Sequence, residues 1–186
     1  MNYYTGIYVD TEIMLKPIEE ANAHGIFELV EQSRQHLSRW LPWVEYNTHL
    51  NHTRQFIRGV LAKKNWGEQA VYVIWYANTI AGIIDLHSID ANSRKTNIGY
   101  WLGHRFTGLG IMTRACKGLL DTAFGFFDFN RVVIKCATEN HQSCAIPQKL
   151  HFTLEGIERQ SEWLNGCFVD LKVYSILQAE WKERYG

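Results

Sequence analysis

Apolar positions along the chain fall first into a helical and then into a strand rhythm. Ile13 to Leu15 form a short apolar run closed by Lys16-Pro17, and Glu19-Glu20 then leads to Ile26, Phe27, Leu29 and Val30 at helical spacing. This predicts a strand followed by a helix. A second amphipathic stretch, Phe56, Ile57, Val60 and Leu61 with Arg54, Arg58, Lys63 and Lys64 around it, predicts another helix. Between the two lies an aromatic segment, Trp40-Leu41-Pro42-Trp43-Val44-Glu45-Tyr46.

The period then changes. Val71 to Tyr76 and Ile80 to Ile84 are β-rich runs parted by Ala77-Asn78-Thr79, the pattern of a hairpin. A polar loop from Asp90 to Lys95 leads to Ile98-Gly99-Tyr100-Trp101-Leu102, which extends the hairpin to a three-stranded antiparallel meander. Next, a turn rich in glycine, Gly103-His104-Arg105-Phe106-Thr107-Gly108-Leu109-Gly110, opens a helix in which Ile111, Ala115, Leu119 and Ala123 recur at i+4 spacing. Arg131 to Ala137 reads as another strand, and strand, helix, strand over this length is a crossover that sets the flanking strands parallel. A further helix is expected from near Ser143, holding Ala145, Ile146, Pro147 and Leu150 with the proline in its first turn. The tail reads as a hairpin turning at Asn165-Gly166 between Ile157 to Leu164 and Phe168 to Leu177. The chain is thus α/β (α+β), with a mixed central sheet.

Composition narrows the function. With 186 residues, 46% of them hydrophobic, the chain suits one domain spanning residues 1–186. Nineteen Lys+Arg against nineteen Asp+Glu argue against direct nucleic-acid binding or the coating of an anionic membrane. No apolar stretch approaches the roughly 20 residues of a membrane-spanning helix. Cys116, Cys136, Cys144 and Cys167 show no CxxC pairing, and no basic-then-apolar segment follows Met1. Free thiols in a reducing cytoplasm are the expectation.

A helix N-terminus carries unpaired N–H groups and partial positive charge, so the glycine turn is a ready anion site. Gly108 and Gly110 leave room for phosphate oxygens at backbone amides, and Arg105 can add a charge-assisted contact. The competing reading is a tight turn whose glycines serve geometry alone. Two common phosphate loops fail on spacing. A Walker A loop needs Lys and Ser/Thr where Leu109-Gly110 stand, and the dinucleotide fingerprint needs a third glycine where Thr113 stands.

What remains, Arg105-x-x-Gly108-x-Gly110, resembles the pyrophosphate loop of GNAT acetyltransferases. Ile98 to Leu102, Gly108 to Thr113, Glu139-Asn140-x-x-Ser143, Phe152-Thr153-Leu154-Glu155-Gly156 and Leu164-Asn165-Gly166 are, in that order, similar to the ribosomal-protein serine/alanine N-acetyltransferase branch, RimJ/RimL-like. The resemblance covers nearly the whole chain. It implies a GNAT fold with an antiparallel N-terminal meander, a splayed parallel pair made by Asn97 to Leu102 and Arg131 to Ala137, and a C-terminal hairpin. Acetyl-CoA is the implied co-substrate. Its pantetheine arm would lie on Trp101, Leu102 and Gly103, and its pyrophosphate on Arg105, Thr107, Gly108, Leu109, Gly110 and Ile111, with Asn140 touching the arm. Glu162 matches the branch's general base, and Ser143 the donor to the departing thiolate. Trp40, Trp43 and Tyr46 fall in the region that lines the acceptor cleft.

Each role has a competitor. Glu162 can be a solvated hairpin carboxylate, Ser143 a helix N-cap, and Trp40 and Trp43 a small core under a loop. His151 stands where most of the superfamily has Gly, which points to a positive-φ position that His tolerates. A Cys144/His151 nucleophile lacks an orienting group, and His49-x-x-His52 lacks further ligands nearby in sequence, so no metal site is expected. The leading function is acetylation of a ribosomal protein's N-terminal α-amine. A small amine such as an antibiotic or polyamine is the alternative acceptor, and an acyl-CoA-binding sensor without turnover is the alternative class. The branch also includes dimers.

Overall fold

Strands of alternating residues with apolar side chains on both faces need helices on both sides, and that requirement organises the chain. The structure is a computed structural model that describes residues 6–63, 67 and 69–186. Met1 and Lys64 lie outside the described residues. The meander begins with β1 (Ile7–Tyr8) and β2 (Ile13–Pro17) and continues through β3 (Ala70–Tyr76), β4 (Thr79–Asp90) and β5 (Lys95–Leu102). It is two strands longer than the three read from the sequence, and antiparallel throughout. The β3–β4 turn places Ala77 and Asn78 at φ 45° and 63°, as a two-residue hairpin of the favoured twist requires. Along β3, Tyr72 and Ile74 enter one core and Val71 and Val73 another. The first core is completed by α3 (Ile111–Gly125), the second by α1 (Ala23–Leu37) and α2 (Leu50–Lys63).

After α3 the chain returns through β6 (Arg131–Ala137), α4 (His141–Lys149), the hairpin β7 (Thr153–Leu164) and β8 (Cys167–Leu177), and α5 (Gln178–Tyr185). Among the described residues the sheet has eight strands in the order β1-β2-β3-β4-β5-β6-β8-β7. The crossover makes β5 and β6 parallel, as expected. Their pairing stops early, with Lys95, Thr96 and Asn97 opposite Arg131, Val132 and Val133 and no registered pair beyond. Past that point each strand stays paired on its other side, β5 to β4 and β6 to β8. Gly82 on β4 explains how β5 leans away, because a Cβ there would run into the Trp101 carbonyl oxygen.

Two local expectations are corrected. Asn140, not Ser143, caps α4: its Oδ1 accepts a hydrogen bond from the Ser143 amide at 3.1 Å. The helix therefore starts earlier, and Pro147 lies in its interior rather than in its first turn. The terminal α5 was not read from the sequence. It is held by Trp181, whose indole N–H donates to Asp121 at 2.9 Å. His151 does sit at φ 61°. Among the described residues no helix is long and apolar enough to cross a membrane.

The C-terminal hairpin is stapled across three strands. Arg131 on β6 donates twice to Glu155 on β7, at 2.6 and 2.5 Å, and Ser175 on the intervening β8 donates to the same carboxylate at 2.7 Å. Chiefly through these hydrogen bonds, the Glu155 carboxyl falls from an ordinary 4.5 to about 2. A depressed carboxyl contributes stability above its unfolded pKa and loses it as pH falls toward the folded value. Glu155→Gln should therefore lower the melting temperature at neutral pH, and the gap from wild type should narrow as pH falls from about 4.5 toward 2. Thermal melts of both proteins across that range check it; a gap independent of pH would show that the ion pair contributes nothing.

Candidate active site

The divergence of β5 and β6 leaves a cleft of about 300 Å³ over the end of β5. Its walls bring together segments far apart in sequence. Trp101 and Leu102 come from β5, Thr107, Gly108, Gly110 and Ile111 from the glycine turn and the start of α3, Asn140 and Ser143 from the cap and first turn of α4, and Trp40 from the loop after α1. Gly103, Arg105 and Leu109 do not line it. Gly103 is buried against Leu29 of α1, and Leu109 points outward at 53% exposure. The exposed Arg105 lays its guanidinium over the Phe106 ring, 4.6 Å from the centroid.

The glycine turn owes its shape to two left-handed residues. Gly108 and Gly110 have φ of 78° and 72°, and a Cβ at either would meet no protein atom within 4 Å. The space above the loop is open to a ligand, while the backbone itself demands glycine. Gly110 is the N-cap of α3, so the free amides of that helix's first turn face the cleft. The turn is fixed from outside by the His104 amide, which donates to Ser33 Oγ on α1 at 3.0 Å. The imidazoles of His104 and His36 lie 5.0 Å apart. Burial, then the neighbouring His104 and Arg39, holds the His36 pKa below its usual value.

On the far wall, Ser143 is half-buried and its hydroxyl donates to Tyr100 Oη at 3.3 Å. Tyr100 Oη donates in turn to the Ser143 carbonyl at 3.0 Å. Burial raises the Tyr100 pKa well above the phenol range, so the hydroxyl keeps its proton. Cys136 lies beside this pair with its thiol pushed up to about 12, mainly by burial. Cys144 is buried and turns its sulfur to the Ala137 carbonyl at 3.6 Å. Neither thiol is an exposed nucleophile.

The aromatic segment forms a 3-10 turn over Pro42–Glu45. Arg34 of α1 holds it by donating to the carbonyls of Val44 and Asn47. Trp43 packs on Trp101 with centroids 5.9 Å apart, beside the cleft rather than in its lining. Tyr46 is 76% exposed and points to solvent. Glu162, on β7, is also outside the lining. Burial raises its pKa, and among the described residues no hydrogen bond or ion pair engages its carboxylate. The tip of its hairpin reaches the aromatic segment through Asn165 Nδ2, which donates to the Arg39 carbonyl at 3.0 Å.

Among the cleft residues to which sequence reasoning gave no role are Tyr100, His36, Gln142 and Lys149. Tyr100 sat inside a recognised strand, with nothing local to distinguish its hydroxyl from a core phenol. Among the described residues no group of three or more His, Cys, Asp or Glu is placed to hold a metal ion.

The acetyltransferase (GNAT) domain family matches residues 12–153. YdaF of Bacillus subtilis (strain 168), whose own assignment as a ribosomal N-acetyltransferase is provisional, is 35% identical over 94% of this chain and 96% of its own. The ribosomal L7/L12 α-N-protein acetyltransferase RimL, solved with coenzyme A, is 32% identical with a TM-score of 0.89, covering 93% of this chain and 98% of that one. The microcin C7 self-immunity acetyltransferase MccE, solved with acetyl-CoA and AMP, is 30% identical with a TM-score of 0.86, covering 91% and 94%.

The left-handed turn yields its own test. Alanine at position 110 is strained at φ 72°, whereas asparagine tolerates that region better. Gly110→Ala should cost about 1 kcal/mol or more of stability and Gly110→Asn less, measured by urea unfolding. Equal losses would show that the loop relaxes out of the left-handed conformation.

Proposed function

The chain belongs to the GNAT acetyltransferase family and is an N-acetyltransferase, and we propose that it moves the acetyl group of acetyl-CoA to the N-terminal α-amine of a ribosomal protein. One observation carries the site assignment: the opened strand β5, the glycine-capped N-terminus of α3 and the Ser143 hydroxyl line one cleft. Acetyl-CoA supplies an activated thioester, a pyrophosphate and an amide-rich arm. The residues here suit those parts. Amides of Gly108 to Ile111 would hold the pyrophosphate, and the unpaired edge of Trp101 and Leu102 would pair with the arm. Asn140 uses its Oδ1 to cap Ser143, which leaves its Nδ2 to donate to the arm. The likeness to YdaF and RimL supports the ribosomal acceptor.

Transfer needs a neutral amine and help for the leaving sulfur. An α-amine with pKa near 7.7–8.0 sheds its proton at neutral pH for roughly 1.4 kcal/mol or less, where lysine at about 10.4 costs roughly 4–5. A modest base acting through water is sufficient. Glu162 is that base in our reading, strengthened by burial and free of a cation that would weaken it. Ser143 donates to the thiolate as charge develops on sulfur. Trp40 in the cleft wall, with Trp43 beside it and the exposed Tyr46 farther out, would flank the way in for an extended peptide end. The four free cysteines accord with work in a reducing cytoplasm.

The likeness to MccE favours a second reading, in which the acceptor is an amine outside the ribosome. Release of CoA thiol, followed with peptides beginning in Ser, Ala and other residues beside polyamines and aminoglycosides, decides between them. Peptides with a small first residue should turn over fastest; acetylation confined to small amines or lysine side chains overturns the ribosomal reading. Glu162→Gln should lower kcat by about 10²-fold and leave affinity for CoA intact. If Glu162 is the base, the wild-type rate should fall as pH drops through its raised pKa, and that acid limb should vanish in the variant. Full kcat from about pH 6 to 9 in Glu162→Gln would show that water alone takes the proton.

A further inference from the structure

Within a helix, each carbonyl accepts from the amide four residues on, and for Ser143 that residue is Pro147. Proline has no N–H to give. The Ser143 carbonyl is instead served from another element, by the Tyr100 hydroxyl at 3.0 Å. That hydroxyl also accepts from Ser143 Oγ at 3.3 Å. A single phenol on β5 thus reaches across the opened sheet and holds both the backbone and the side chain of one residue on α4. Tyr100 and Ser143 both line the cleft, and the Oγ hydrogen is parked on an oxygen from which it can rotate.

We propose that Tyr100 is the positioning residue for Ser143, fixing its carbonyl in place of the missing Pro147 amide and holding its hydroxyl ready for the departing sulfur. This rests on the reading of Ser143 as donor to the thiolate. As the amine nitrogen bonds to the acyl carbon and the carbon–sulfur bond breaks, sulfur keeps the bonding electron pair. The Ser143 O–H turns from Tyr100 Oη to that sulfur. The proton shed by the amine leaves through Glu162 or water, and the thiolate is later protonated from solvent. Tyr100 keeps its own proton, and its O–H stays on the Ser143 carbonyl. Burial pushes the Cys136 thiol up to about 12, so it stays protonated and places no competing anion beside the pair.

The test is a mutant cycle with acetyl-CoA and the best peptide acceptor, read as kcat, KM and calorimetric affinity for CoA. Tyr100→Phe should lower kcat about tenfold with CoA affinity within about twofold, since the lost bond acts on a group that matters as charge develops. Combined with Ser143→Ala it should lower kcat no further than Ser143→Ala alone, because the two act as a unit. Pro147→Ala returns an amide to the Ser143 carbonyl, so Tyr100→Phe with Pro147→Ala should recover at least about threefold of the lost kcat. A tyrosine that merely packs would give multiplying losses and no recovery, and either result overturns the proposal. Should Tyr100→Phe alone fold poorly, the cycle is run in the Pro147→Ala background with the same expectation of non-additivity. If Ser143→Ala keeps full kcat, the thiolate reading falls and this proposal with it; if only the coupling is missing, the thiolate reading stands and Tyr100 is packing.

Discussion

A sheet that opens in its middle has to keep its backbone polar groups satisfied while it does so, and this constraint governs the rest of the molecule. β5 and β6 separate after Asn97 and Val133, yet neither is abandoned, because β4 and β8 continue to pair their outer edges. Only the facing edges are left without a partner. Buried N–H and C=O groups left in this way are costly, by about 1–3 kcal/mol each, so such an opening persists where water or an amide-bearing ligand fills it. Gly82 permits β5 to lean toward β4, and the α3 N-terminus and α4 frame the gap that results.

The opening would weaken the sheet were the far side not secured. Arg131, Ser175 and Glu155 tie β6, β8 and β7 in one row, and Lys135 reaches Glu158 at 2.6 Å in the next. Asn165 closes the hairpin tip onto the backbone of Arg39. The near side is secured by burial on both faces of β3 and β4, where apolar side chains alternate between two cores. The cleft therefore lies between two separately secured parts of the sheet, joined at the base by three residue pairs of parallel ladder.

What could be read from the sequence was what depends on local chemistry. Glycines at positive φ in the α3 turn, Asn165-Gly166 at the hairpin, His151 in the left-handed region and the strand–helix–strand crossover are dictated by residues near one another in the chain. What could not be read depends on contacts across the fold. The Asn140 cap, by contrast, was local and legible, since Asn is a favoured N-cap and stands three residues before Ser143; Pro147 looked like a first-turn proline only because the helix was started too late. The hydroxyl of Tyr100 acquires its role only when β5 and α4 meet. The polar α5 gave no apolar periodicity, since one large residue, Trp181, anchors it. The guanidinium of Arg105, expected to add a charge-assisted contact at the glycine turn, lies over the neighbouring Phe106 ring, an aromatic contact that the motif does not specify.

The same strand shows why one carboxylate on the hairpin differs from its neighbours. Glu155 is gripped by a guanidinium and a hydroxyl, and its pKa falls to about 2. Glu158 is lowered as well, by Lys135 first and Ser161 after it. A carboxylate so stabilised has little affinity for a proton. Glu162 has burial and no cationic partner among the described residues, and its pKa moves the opposite way. Oppositely directed environments on one element separate a structural acid from a basic one. Distance along β7 does not make that distinction, nor does residue type. It follows from where the pairing cations stand: Arg131 and Lys135 on β6 reach Glu155 and Glu158, and among the described residues no cation reaches Glu162. The one raised carboxyl of β7 is thus the one nearest the hairpin's tip, and in the proposed reaction it is the one with affinity for a proton.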